Sequence, residues 1–409
     1  MQSPAALGRR RLLQSSLAGS LLGPLLGPML GGGLLSACAS PGPDIIPLVP
    51  IRARTDRIID IAVCTRPFRA AGPRLDSEWL GSTLVVHNYG HGGSGWSLSW
   101  GSGTLAVRRA MQASPREIAV IGCGILGLTA AILAQRAGAR VTIYAAEQLP
   151  LTRSARATGA WTPDSRIALT GATAPDFAAT WEEMARVSFK AHRSYLGLPG
   201  TPVEWTDYFS IAADDPPAPE NAPPPLPQRP PLPFASYSRS IADIMPRARR
   251  VPPESSPFQA KAVYRNEFLI FNIADYGHTL LNDFFVAGGQ YRHAVFTHPA
   301  EIAALPQKVV IDCTGYGARA LWKDESIVPV RGQIARLIPQ SEVRYGLDYK
   351  HVYVVPRRDG IVVQAVDGGD MKGYGDTDEA PDRPESERAV RTLAELFAPP
   401  RWRGAPVLV

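Results

Sequence analysis

Residues 117–145, EIAVIGCGILGLTAAILAQRAGARVTIYA, limit the possible folds of this chain more than any other segment. An apolar strand enters the turn at residues 122–127, a helix follows to about Ala137, and residues 141–144 return as a parallel strand. In such a β-α-β unit the glycines allow a tight turn, close approach of the backbone to a pyrophosphate, and close packing of helix on strand. The sequence therefore predicts a parallel α/β domain that binds a dinucleotide, and a parallel α/β turn without a ligand is the alternative.

A second glycine-rich segment, LVVHNYGHGGSGWSLSWGS at residues 84–102, precedes this unit in the chain. An apolar strand runs into a turn that opens a helix. Backbone N–H groups and the positive end of the helix dipole would converge at that turn, as an anion or a polarised ring requires. A glycine turn that only packs against a neighbouring element is the alternative interpretation.

Composition excludes several classes of function. A chain of 409 residues with 45% apolar residues can bury a large core and is expected to form two domains. Three units of its net charge of +6 belong to Arg9, Arg10 and Arg11, and the remainder is too small to predict nucleic-acid binding. The four cysteines lack the spacing of a disulfide framework or a metal site, so we expect no bound metal. Cys123 and Cys313 are predicted to be small core residues.

Residues 1–37 resemble a twin-arginine export signal that ends in the lipoprotein cleavage box LSAC. Pro24 and Pro28 interrupt the apolar stretch, which disfavours a membrane-spanning helix. Cys38 would then be the lipidated first residue, and the Pro-rich residues 38–56 would form a tether. The sequence predicts an exported periplasmic protein anchored to the membrane by lipid. A soluble periplasmic protein and a mis-started N-terminus are the alternatives.

Periodicity predicts the remaining elements of the chain. Residues 57–69 form a strand that carries Arg66 and Arg69, and ordered structure is expected to begin at Arg57. A Pro-rich surface insertion covers residues 214–233, with a binding motif for a Pro-recognising partner as an alternative. The other predicted elements are a strand at Thr83–His87, a helix at 176–196, a strand and helix at 267–287, a strand at 308–317 beside the β-α-β unit, antiparallel strands within 329–339 and 351–366, and a helix at 385–397.

Several separated stretches together resemble the D-amino acid oxidase family of FAD-dependent flavoenzymes. They are VIGCGILGLTAA, RATGAWTP, VVIDCTGYGARAL, VRGQI, YVVPRRDG, and the pair TRPFR and VVHNYGHGGSGWSLSWG. In that family the glycine fingerprint opens the chain, whereas the arginine strand and the HNYGHGG turn close it. Here the last two come first, so the sequence looks like a circular permutation. Its new ends, before Arg57 and after Val409, are expected to lie close together at the surface.

The resemblance implies an α/β plus α+β fold: a Rossmann-like FAD-binding domain with a mixed-sheet substrate domain, circularly permuted. We expect residues 81–165 and 291–330 to form the FAD-binding domain. The substrate domain would consist of residues 57–80, 166–290 and 331–409.

The resemblance further implies that hydride passes from the α-carbon of a D-amino acid to flavin. Reoxidation by O2 gives H2O2, and the imino acid hydrolyses to a 2-oxo acid and ammonia. Arg66 would bind the substrate carboxylate, Tyr353 would donate its hydroxyl to the same group, and Gly93 would turn its carbonyl toward the amine. Tyr349 would lie over the substrate in a lid loop at residues 341–349. The alternatives are another amine or sarcosine-type flavin oxidase or dehydrogenase, and a catalytically inactive flavin-binding surface protein.

FAD contacts are implied for the glycine turns and the loop after the β-α-β unit: Gly92, Gly93, Ser94, Gly95, Trp96, Ser97, Gly122, Gly124, Ile125, Leu126, Gly127, Glu147, Thr158, Gly159, Ala160, Trp161, Thr314 and Gly315. His87 and His91 are interpreted as structural, because the neutral amine of the substrate can lose hydride without a protein base. The motif RGQ at residues 331–333 is expected to be structural.

Two departures from the family pattern are visible. Ala146 stands where the family has an acid, which makes Glu147 the ribose candidate, and Gln364-Ala365 replaces a pair of small residues. Gln364 is therefore expected to narrow or polarise the substrate pocket. Arg357 and Arg358 either favour an acidic substrate side chain or lie in a solvated turn.

Overall fold

Strands and helices alternate through most of the chain, and the computed structural model describes residues 44–213 and 230–404. The strands are β1 Ile58–Arg69, β2 Ser77–Leu80, β3 Thr83–His87, β4 Glu117–Cys123, β5 Arg140–Gln148, β6 Val203–Ala212, β7 Arg249–Arg250, β8 Ala262–Phe271, β9 Gln290–His293, β10 Val309–Asp312, β11 Ile327–Leu337, β12 Tyr345–Tyr349, β13 Val352–Arg357 and β14 Gly360–Ala365. The α-helices are α1 Gly95–Met111, α2 Ile125–Arg136, α3 Phe177–Arg193, α4 Ile273–Val286, α5 Pro299–Ala303, α6 Ala318–Leu321 and α7 Arg383–Leu396.

Some predictions concern residues outside these ranges. The export signal at residues 1–37, Cys38, most of the Pro-rich insertion and the final residues 405–409 lie outside the described part of the chain, so these predictions stay predictions. Among the helices of residues 44–213 and 230–404, none combines the length and apolar character needed to cross a membrane. The described residues belong to one unit that starts at Pro43.

A mostly parallel sheet forms around the predicted β-α-β unit. Its order in the described chain is β2-β3-β10-β4-β5-β9, and only β2 runs antiparallel to its neighbour. β10 pairs with β3 on one side and β4 on the other, so that Asp312 is level with His87 and Ile121. The carboxyl ends of these three strands therefore meet at one edge, where ligands bind in open α/β sheets.

Four helices cover one face of this sheet. α1 packs against α2 and α3, and α2 also packs against α4. A Cβ atom on Gly101 would lie 2.1 Å from the carbonyl oxygen of Met184, so the glycine permits the close crossing of α1 and α3. Trp181 of α3 and Phe284 of α4 are fully buried in the same core as α1 and α2. The assignment of residues 166–290 to the substrate domain is therefore wrong for α3 and α4.

The second sheet is mixed. In the described residues its order is β1-β11-β14-β13-β12-β6-β8-β7, and only β6 and β12 run parallel. α7 covers one face, with Val390 and Leu393 buried against the strands. The other face turns toward the carboxyl edge of the parallel sheet. Antiparallel pairing of residues 327–337 and 352–365 confirms the strands predicted there.

Residues 44–54 are packed against this sheet, so the prediction that order begins at Arg57 is wrong. Ile51 is 1% exposed and contributes to the core beneath α7. The Arg52 N–H donates to Oε1 of Gln340 at 2.8 Å, and the Tyr345 hydroxyl donates to the Val49 carbonyl at 2.7 Å. The apolar residues within this Pro-rich segment cover strand side chains that would otherwise be exposed to water.

Two further expectations are corrected by strand pairing. β2 was assigned to the substrate domain within residues 57–80, but it pairs with β3 in the parallel sheet. The predicted lid at residues 341–349 is largely occupied by β12, an interior strand between β13 and β6. A strand hydrogen-bonded on both sides has no freedom to open and close over a substrate.

Candidate active site

A cavity of about 720 Å³, the main cavity, lies between the carboxyl edge of the parallel sheet and the second sheet. The turns after β3, β4, β5 and β10 line one side, including Gly93, Gly124, Glu147 and Thr314. β1, β13 and β14 line the other side. Every motif of the resemblance except VRGQI therefore contributes to the same space, although the motifs are far apart in sequence.

The glycine turn before α2 leaves room for a ligand. Gly122 has φ +101°, and a Cβ atom there would lie 2.5 Å from the Cys313 carbonyl oxygen. A Cβ atom on Gly124 would lie 2.8 Å from Oγ of Ser154, so only glycine keeps this part of the wall open. Gly124 has no side chain to cap α2, and of the first helical N–H groups that of Ile125 donates to Oγ of Ser154 at 3.1 Å. The positive end of its dipole therefore faces the cavity, as a pyrophosphate site requires.

The turn before α1 is held against the loop at residues 165–166. The Gly93 N–H donates to the Ser165 carbonyl at 3.0 Å, and Oγ of Ser94 donates to the same oxygen at 3.0 Å. A Cβ atom on Gly92, where φ is +55°, would lie 1.9 Å from the Arg166 carbonyl oxygen. Because Ser94 is used in this way, it does not cap α1, and the start of that helix also points into the cavity.

A buried hydrogen-bond network fixes the first turn of α1 from behind. The indole of Trp100 donates to the Tyr276 hydroxyl at 3.0 Å, and that hydroxyl is 2.9 Å from Nδ1 of His192. Nε2 of His192 lies 3.1 Å from the Trp96 carbonyl oxygen. Burial lowers the pKa of His192 to about 3, so the ring is neutral and can donate one proton while accepting another. Trp96 itself lines the main cavity.

His91 is a buried ring in the cavity wall. It is 1% exposed, and neither ring nitrogen has a hydrogen-bond partner within the described chain. Burial lowers its pKa to about 3, so it is neutral at physiological pH. Buried polar atoms without a partner in a cavity wall are expected to bond to whatever fills the cavity. Together with the N-termini of α1 and α2 and a glycine cradle, this wall fits FAD, the cofactor implied by the sequence.

Arg66 lies over Gly332 in the paired strands β1 and β11. A Cβ atom on Gly332 would be 2.4 Å from Cζ of Arg66, so the guanidinium occupies the space that the missing side chain leaves. No carboxylate of the described residues comes within 4 Å of it to form an ion pair, and it lines the main cavity. A guanidinium without a counterion in a cavity wall is suited to bind an anionic group of a ligand.

Tyr353 lines the same cavity from β13 and pairs across the strands with Gln364. Burial, with a further contribution from the charge of Asp348, raises the pKa of Tyr353. Its phenol therefore stays protonated and can donate a hydrogen bond. Oε1 of Gln364 accepts a hydrogen bond from Thr158 at 2.9 Å, and Gln364 also lines the cavity.

Tyr349 does not line the main cavity, so its predicted position over the substrate is wrong. The YxxxY spacing crosses the β12–β13 hairpin, in which Tyr349 is level with Val352 and Tyr353 with Asp348. Neighbouring residues of a strand point to opposite faces, so the two tyrosines lie on opposite sides of the sheet. Tyr349 is buried on the α7 side, where its hydroxyl accepts a hydrogen bond from Arg401 at 2.8 Å.

The other predicted residues fall into two groups. Most of the predicted FAD contacts line the main cavity: Gly92, Gly93, Gly95, Trp96, Gly122, Gly124, Ile125, Leu126, Glu147, Thr158, Gly159, Ala160, Thr314 and Gly315. Four do not line it and instead hold the wall in place: Ser94, Ser97, Gly127 and Trp161. A Cβ atom on Gly127, for example, would lie 2.0 Å from the Gly122 carbonyl oxygen, so this glycine allows helix and strand to pack closely.

Ion pairs hold both Arg357, the last residue of β13, and Arg358, in the turn that follows. Arg357 is 3% exposed and donates to Asp359 and to the Ala157 carbonyl, at 2.8 Å and 2.6 Å. Arg358 donates to Glu204 at 2.9 Å. Arg357 is therefore not in a solvated turn, whereas Arg358 does lie in the β13–β14 turn, with its side chain 30% exposed and paired with Glu204. Neither arginine lines the main cavity or the side cavity, so the structure does not place them to bind a substrate side chain.

His87 and the RGQ motif hold structural positions, as expected. The His87 ring lies between Asp312 and Glu78, at 2.9 Å and 2.7 Å. Nε2 of Gln333 donates to the Asp382 carbonyl at 2.8 Å, which ties β11 to the start of α7. The three described cysteines are buried and free, and all three reach the wall of the main cavity.

A side cavity of about 210 Å³ opens where β11 and β14 separate beyond the Ala335–Val363 pair. Arg66, Arg166 and Gln364 line both cavities. Sequence reasoning did not single out Arg166, nor Ser154, whose Oγ accepts a hydrogen bond from the Ile125 N–H at 3.1 Å. The two residues lie at either end of the loop that contains RATGAWTP. That motif was the sequence feature from which their position beside the cavity could have been predicted.

Comparisons with known proteins agree with this arrangement. The profile of the FAD dependent oxidoreductase family, DAO, matches residues 117–407. The chain is 27% identical to the D-amino-acid oxidase of Rubrobacter xylanophilus over 298 residues, which is 71% of this chain and 79% of that protein. It is 28% identical to the D-amino-acid oxidase of Streptomyces coelicolor over 222 residues, 53% of this chain and 58% of that protein.

Among solved structures, the iminodiacetate oxidase of Chelativorans sp. BNC1 aligns at 16% identity with a TM-score of 0.43, over 68% of this chain and 78% of that one. The family match covers well over half of this chain, beginning at the β-α-β unit that contains the glycine fingerprint. The chain therefore belongs to the DAO family of FAD-dependent oxidoreductases.

Proposed function

We propose that this enzyme catalyses the oxidative deamination of D-amino acids. Bound FAD would accept a hydride from the substrate α-carbon and pass the two electrons to O2, which is reduced to H2O2. The amine loses a proton in the same oxidation, and the resulting imino acid takes up water to give a 2-oxo acid and ammonia.

The single observation that carries this proposal is the guanidinium of Arg66 in the main cavity, which forms no ion pair with any of the residues that the structure describes. A guanidinium is permanently charged and binds a carboxylate through two parallel hydrogen bonds, which fixes the orientation of the substrate. Tyr353, on the same wall, would donate a third hydrogen bond because its phenol stays protonated. An α-amino acid held in this way presents its α-carbon in one orientation to the cofactor.

Neither His91 nor Tyr353 is suited to act as a base. His91 has a pKa of about 3, and burial raises the pKa of Tyr353, so neither exchanges a proton readily near pH 7. The residues of this wall therefore bind and orient the substrate, and the proton leaves from the amine itself. Buried Leu126 and Cys313 give the cavity apolar surface that excludes water.

We also propose that the chain is a circular permutation of the family order. The family match begins at residue 117, yet residues before it form β1, β3 and α1, which contribute Arg66 and Gly93 to the cavity. The ends of the described chain also approach one segment: the Ile46 N–H donates to the Ser255 carbonyl, and the Arg403 N–H to the Pro257 carbonyl, each at 2.9 Å. A gene reordered to start before β4, with the present ends joined, should yield a flavin-loaded enzyme. An insoluble, flavin-free product would contradict the permutation.

Export to the periplasmic side with a lipid on Cys38 is a further part of the proposal. It is supported by the RRRLL and LSAC motifs of the first 38 residues. Cell fractionation tests it: the wild-type protein should sediment with membranes, and Cys38→Ala should appear in the soluble periplasmic fraction. Equal distribution of the two proteins would contradict lipid anchoring.

The decisive experiment for the activity uses the purified holoenzyme without oxygen. Addition of D-amino acids should bleach the flavin absorption, and the L-enantiomers should not. If only sarcosine or other secondary amines bleach the flavin, the proposal is contradicted and the protein is an amine oxidase. A flavin that no amine bleaches would indicate an inactive flavin-binding protein.

Arg66→Ala provides the matching test of the site. It should retain flavin, and its kcat/KM should fall about 150-fold, on the order of 3 kcal/mol in transition-state binding, because the substrate carboxylate loses its charged partner. Arg265→Ala is the control, because that arginine lies at the surface in an ion pair with Asp207. Normal turnover by the Arg66 variant would remove this assignment.

A further inference from the structure

Arg166 places a second guanidinium beside Arg66 in the cavity wall. Its side chain is 13% exposed and lines both the main cavity and the side cavity. Nε and Nη2 donate to the carbonyl oxygens of Asp370 and Gly369, at 2.7 Å and 3.0 Å. The nearest carboxylate oxygen, Oδ1 of Asp370, is 3.7 Å from Nε on a side chain that is 54% exposed. Nη1 has no hydrogen-bond partner among residues 44–213 and 230–404.

The backbone of Arg166 is held in an unusual conformation. Its φ is +49°, a region that residues other than glycine seldom adopt. The glycine turn before α1 holds it there: Gly93 is hydrogen-bonded to the Ser165 carbonyl, and Gly92 leaves space for the Arg166 carbonyl. Such conformations persist where the surrounding structure fixes them, and they are concentrated at functional sites. The direction of this side chain is therefore set by the same turn that forms the proposed FAD wall.

The two guanidiniums leave an excess of positive charge. Burial, and then the like charge of Arg66, lower the pKa of Arg166 to about 10, while Asp370 opposes this shift. One substrate α-carboxylate can compensate one of the two cations. The carboxylate of Asp370, 3.7 Å from Nε of Arg166 and 54% exposed, compensates the other only in part, so a ligand that supplies a second negative charge would be favoured.

The side cavity continues this positive wall. Arg331 lines it and donates to the Asp378 and Ala380 carbonyls at 2.9 Å and 2.8 Å, and no carboxylate in the described chain lies within 4 Å of its guanidinium. Of the carboxylates that line the side cavity, Glu385 pairs with a lysine. The other, Asp376, accepts a backbone N–H. Their charges are therefore not directed at the arginines.

We propose that Arg166 selects D-amino acids with an acidic side chain, holding the side-chain carboxylate while Arg66 holds the α-carboxylate. This inference rests on the proposed function. The side cavity provides room for the side chain, and its cationic wall would attract a second carboxylate. A neutral side chain of the same shape would leave Arg166 with the Asp370 and Gly369 carbonyls and the partly exposed Asp370 carboxylate, and the missing charged interaction with the substrate sets the expected discrimination.

The test compares acids with their amides, which have nearly the same shape and no charge. For the wild-type holoenzyme, kcat/KM should be roughly 30-fold or more higher for D-glutamate and D-aspartate than for D-glutamine and D-asparagine. Arg166→Gln keeps hydrogen-bond donors for the two carbonyls. It should lower kcat/KM for the acids by a similar factor, mainly through KM, and change the values for the amides less than about threefold. Arg166→Lys should retain part of the preference, and Arg265→Gln all of it.

A binding measurement gives an independent readout without turnover. Succinate, a dicarboxylate, should raise the melting temperature of the wild-type holoenzyme more than propionate does at equal concentration. That difference should disappear in Arg166→Gln. If this variant does not retain flavin, Arg166→Lys and the wild-type comparison of the two anions decide the question.

The outcomes separate the two proposals. An enzyme that oxidises neutral D-amino acids but not acidic ones overturns the role of Arg166 and leaves the proposed function intact. An equal loss for acids and amides in Arg166→Gln, or equal stabilisation by succinate and propionate, also overturns it. An enzyme that oxidises no D-amino acid at all overturns both.

Discussion

Gly332→Ala tests the position of Arg66 without removing its charge. A Cβ atom on Gly332 would lie 2.4 Å from Cζ and Nη2 of Arg66 and 2.8 Å from Nη1. Ordinary carbon contacts begin near about 3.5 Å, so the guanidinium must withdraw by about 1 Å. The displaced atoms are the end of a flexible side chain, so we expect the fold to persist and the free energy of unfolding to change by less than about 1 kcal/mol.

The expected effect on activity follows from this displacement. Two parallel hydrogen bonds between guanidinium and carboxylate depend on distance and angle, and a misplacement of about 1 Å costs roughly 100-fold in rate. That factor corresponds to about 2.7 kcal/mol. We expect kcat/KM to fall by this amount, mainly through a higher KM, while the flavin content and the flavin absorption spectrum remain those of the wild type. Steady-state kinetics on the purified holoenzyme measure the fall.

A double-mutant cycle supplies the control. In an Arg66→Ala background the added methyl group meets empty space, so Gly332→Ala should change kcat/KM less than about twofold. An equal loss in both backgrounds would mean that the methyl group acts through the sheet and not through Arg66. An unchanged KM in the single variant would refute the assignment of Arg66 as the carboxylate partner.

Three other predictions concern the surrounding structure. The pKa of His192 is about 3 when folded and about 6.5 when unfolded, so its contribution to stability is complete above pH 6.5 and falls as pH drops toward 3, by about 2 kcal/mol at pH 5. Chemical unfolding at pH 7 and pH 5 should show this loss, and it should be smaller by about this amount in His192→Gln, where the similar contribution of His91 remains. Gly92→Ala should lose FAD on gel filtration and unfold at a lower temperature. Its Cβ atom would lie 1.9 Å from a backbone carbonyl oxygen, and φ at this position is +55°. Full flavin retention would contradict this. Arg358→Met should lower the free energy of unfolding by roughly 1–3 kcal/mol, because Glu204, which is 19% exposed, loses its charged partner. The matched double variant Arg358→Met/Glu204→Leu should recover most of this stability.

Local patterns predicted the elements that build the site. The β-α-β unit, the strand and helix on either side of the HNYGHGG turn, and α7 lie close to their expected positions. Each depends on contacts between residues near one another in sequence: alternating or helical apolar spacing, and glycines at turns. The family resemblance then identified which of these turns line one cavity, including Gly93 and Gly124.

The errors come from contacts between distant segments. The spacing of Tyr349 and Tyr353 suggested a shared role, but a hairpin turn between them reverses the face of the sheet. The long-range partners of Arg357 and Arg358 were not predictable from the neighbouring sequence, because Ala157 and Glu204 are far from them in the chain. The apolar spacing of an amphipathic helix such as α3 indicates that one of its faces is buried. It does not indicate which sheet or helix that face packs against.

The position of β10 between β3 and β4 has a consequence for how this chain folds during synthesis. His87 at the end of β3 hydrogen-bonds to Asp312, 225 residues later. Asp60 of β1 pairs with Arg336, 276 residues later. At about 5–20 residues per second, β3 is made roughly 10–45 s before the strand that joins it to β4. Until then its apolar edge lacks the partner that it has in the finished sheet. The first strands to be synthesised are therefore among the last to be completed, and a chain that stops before β10 has neither an intact parallel sheet nor a closed FAD site.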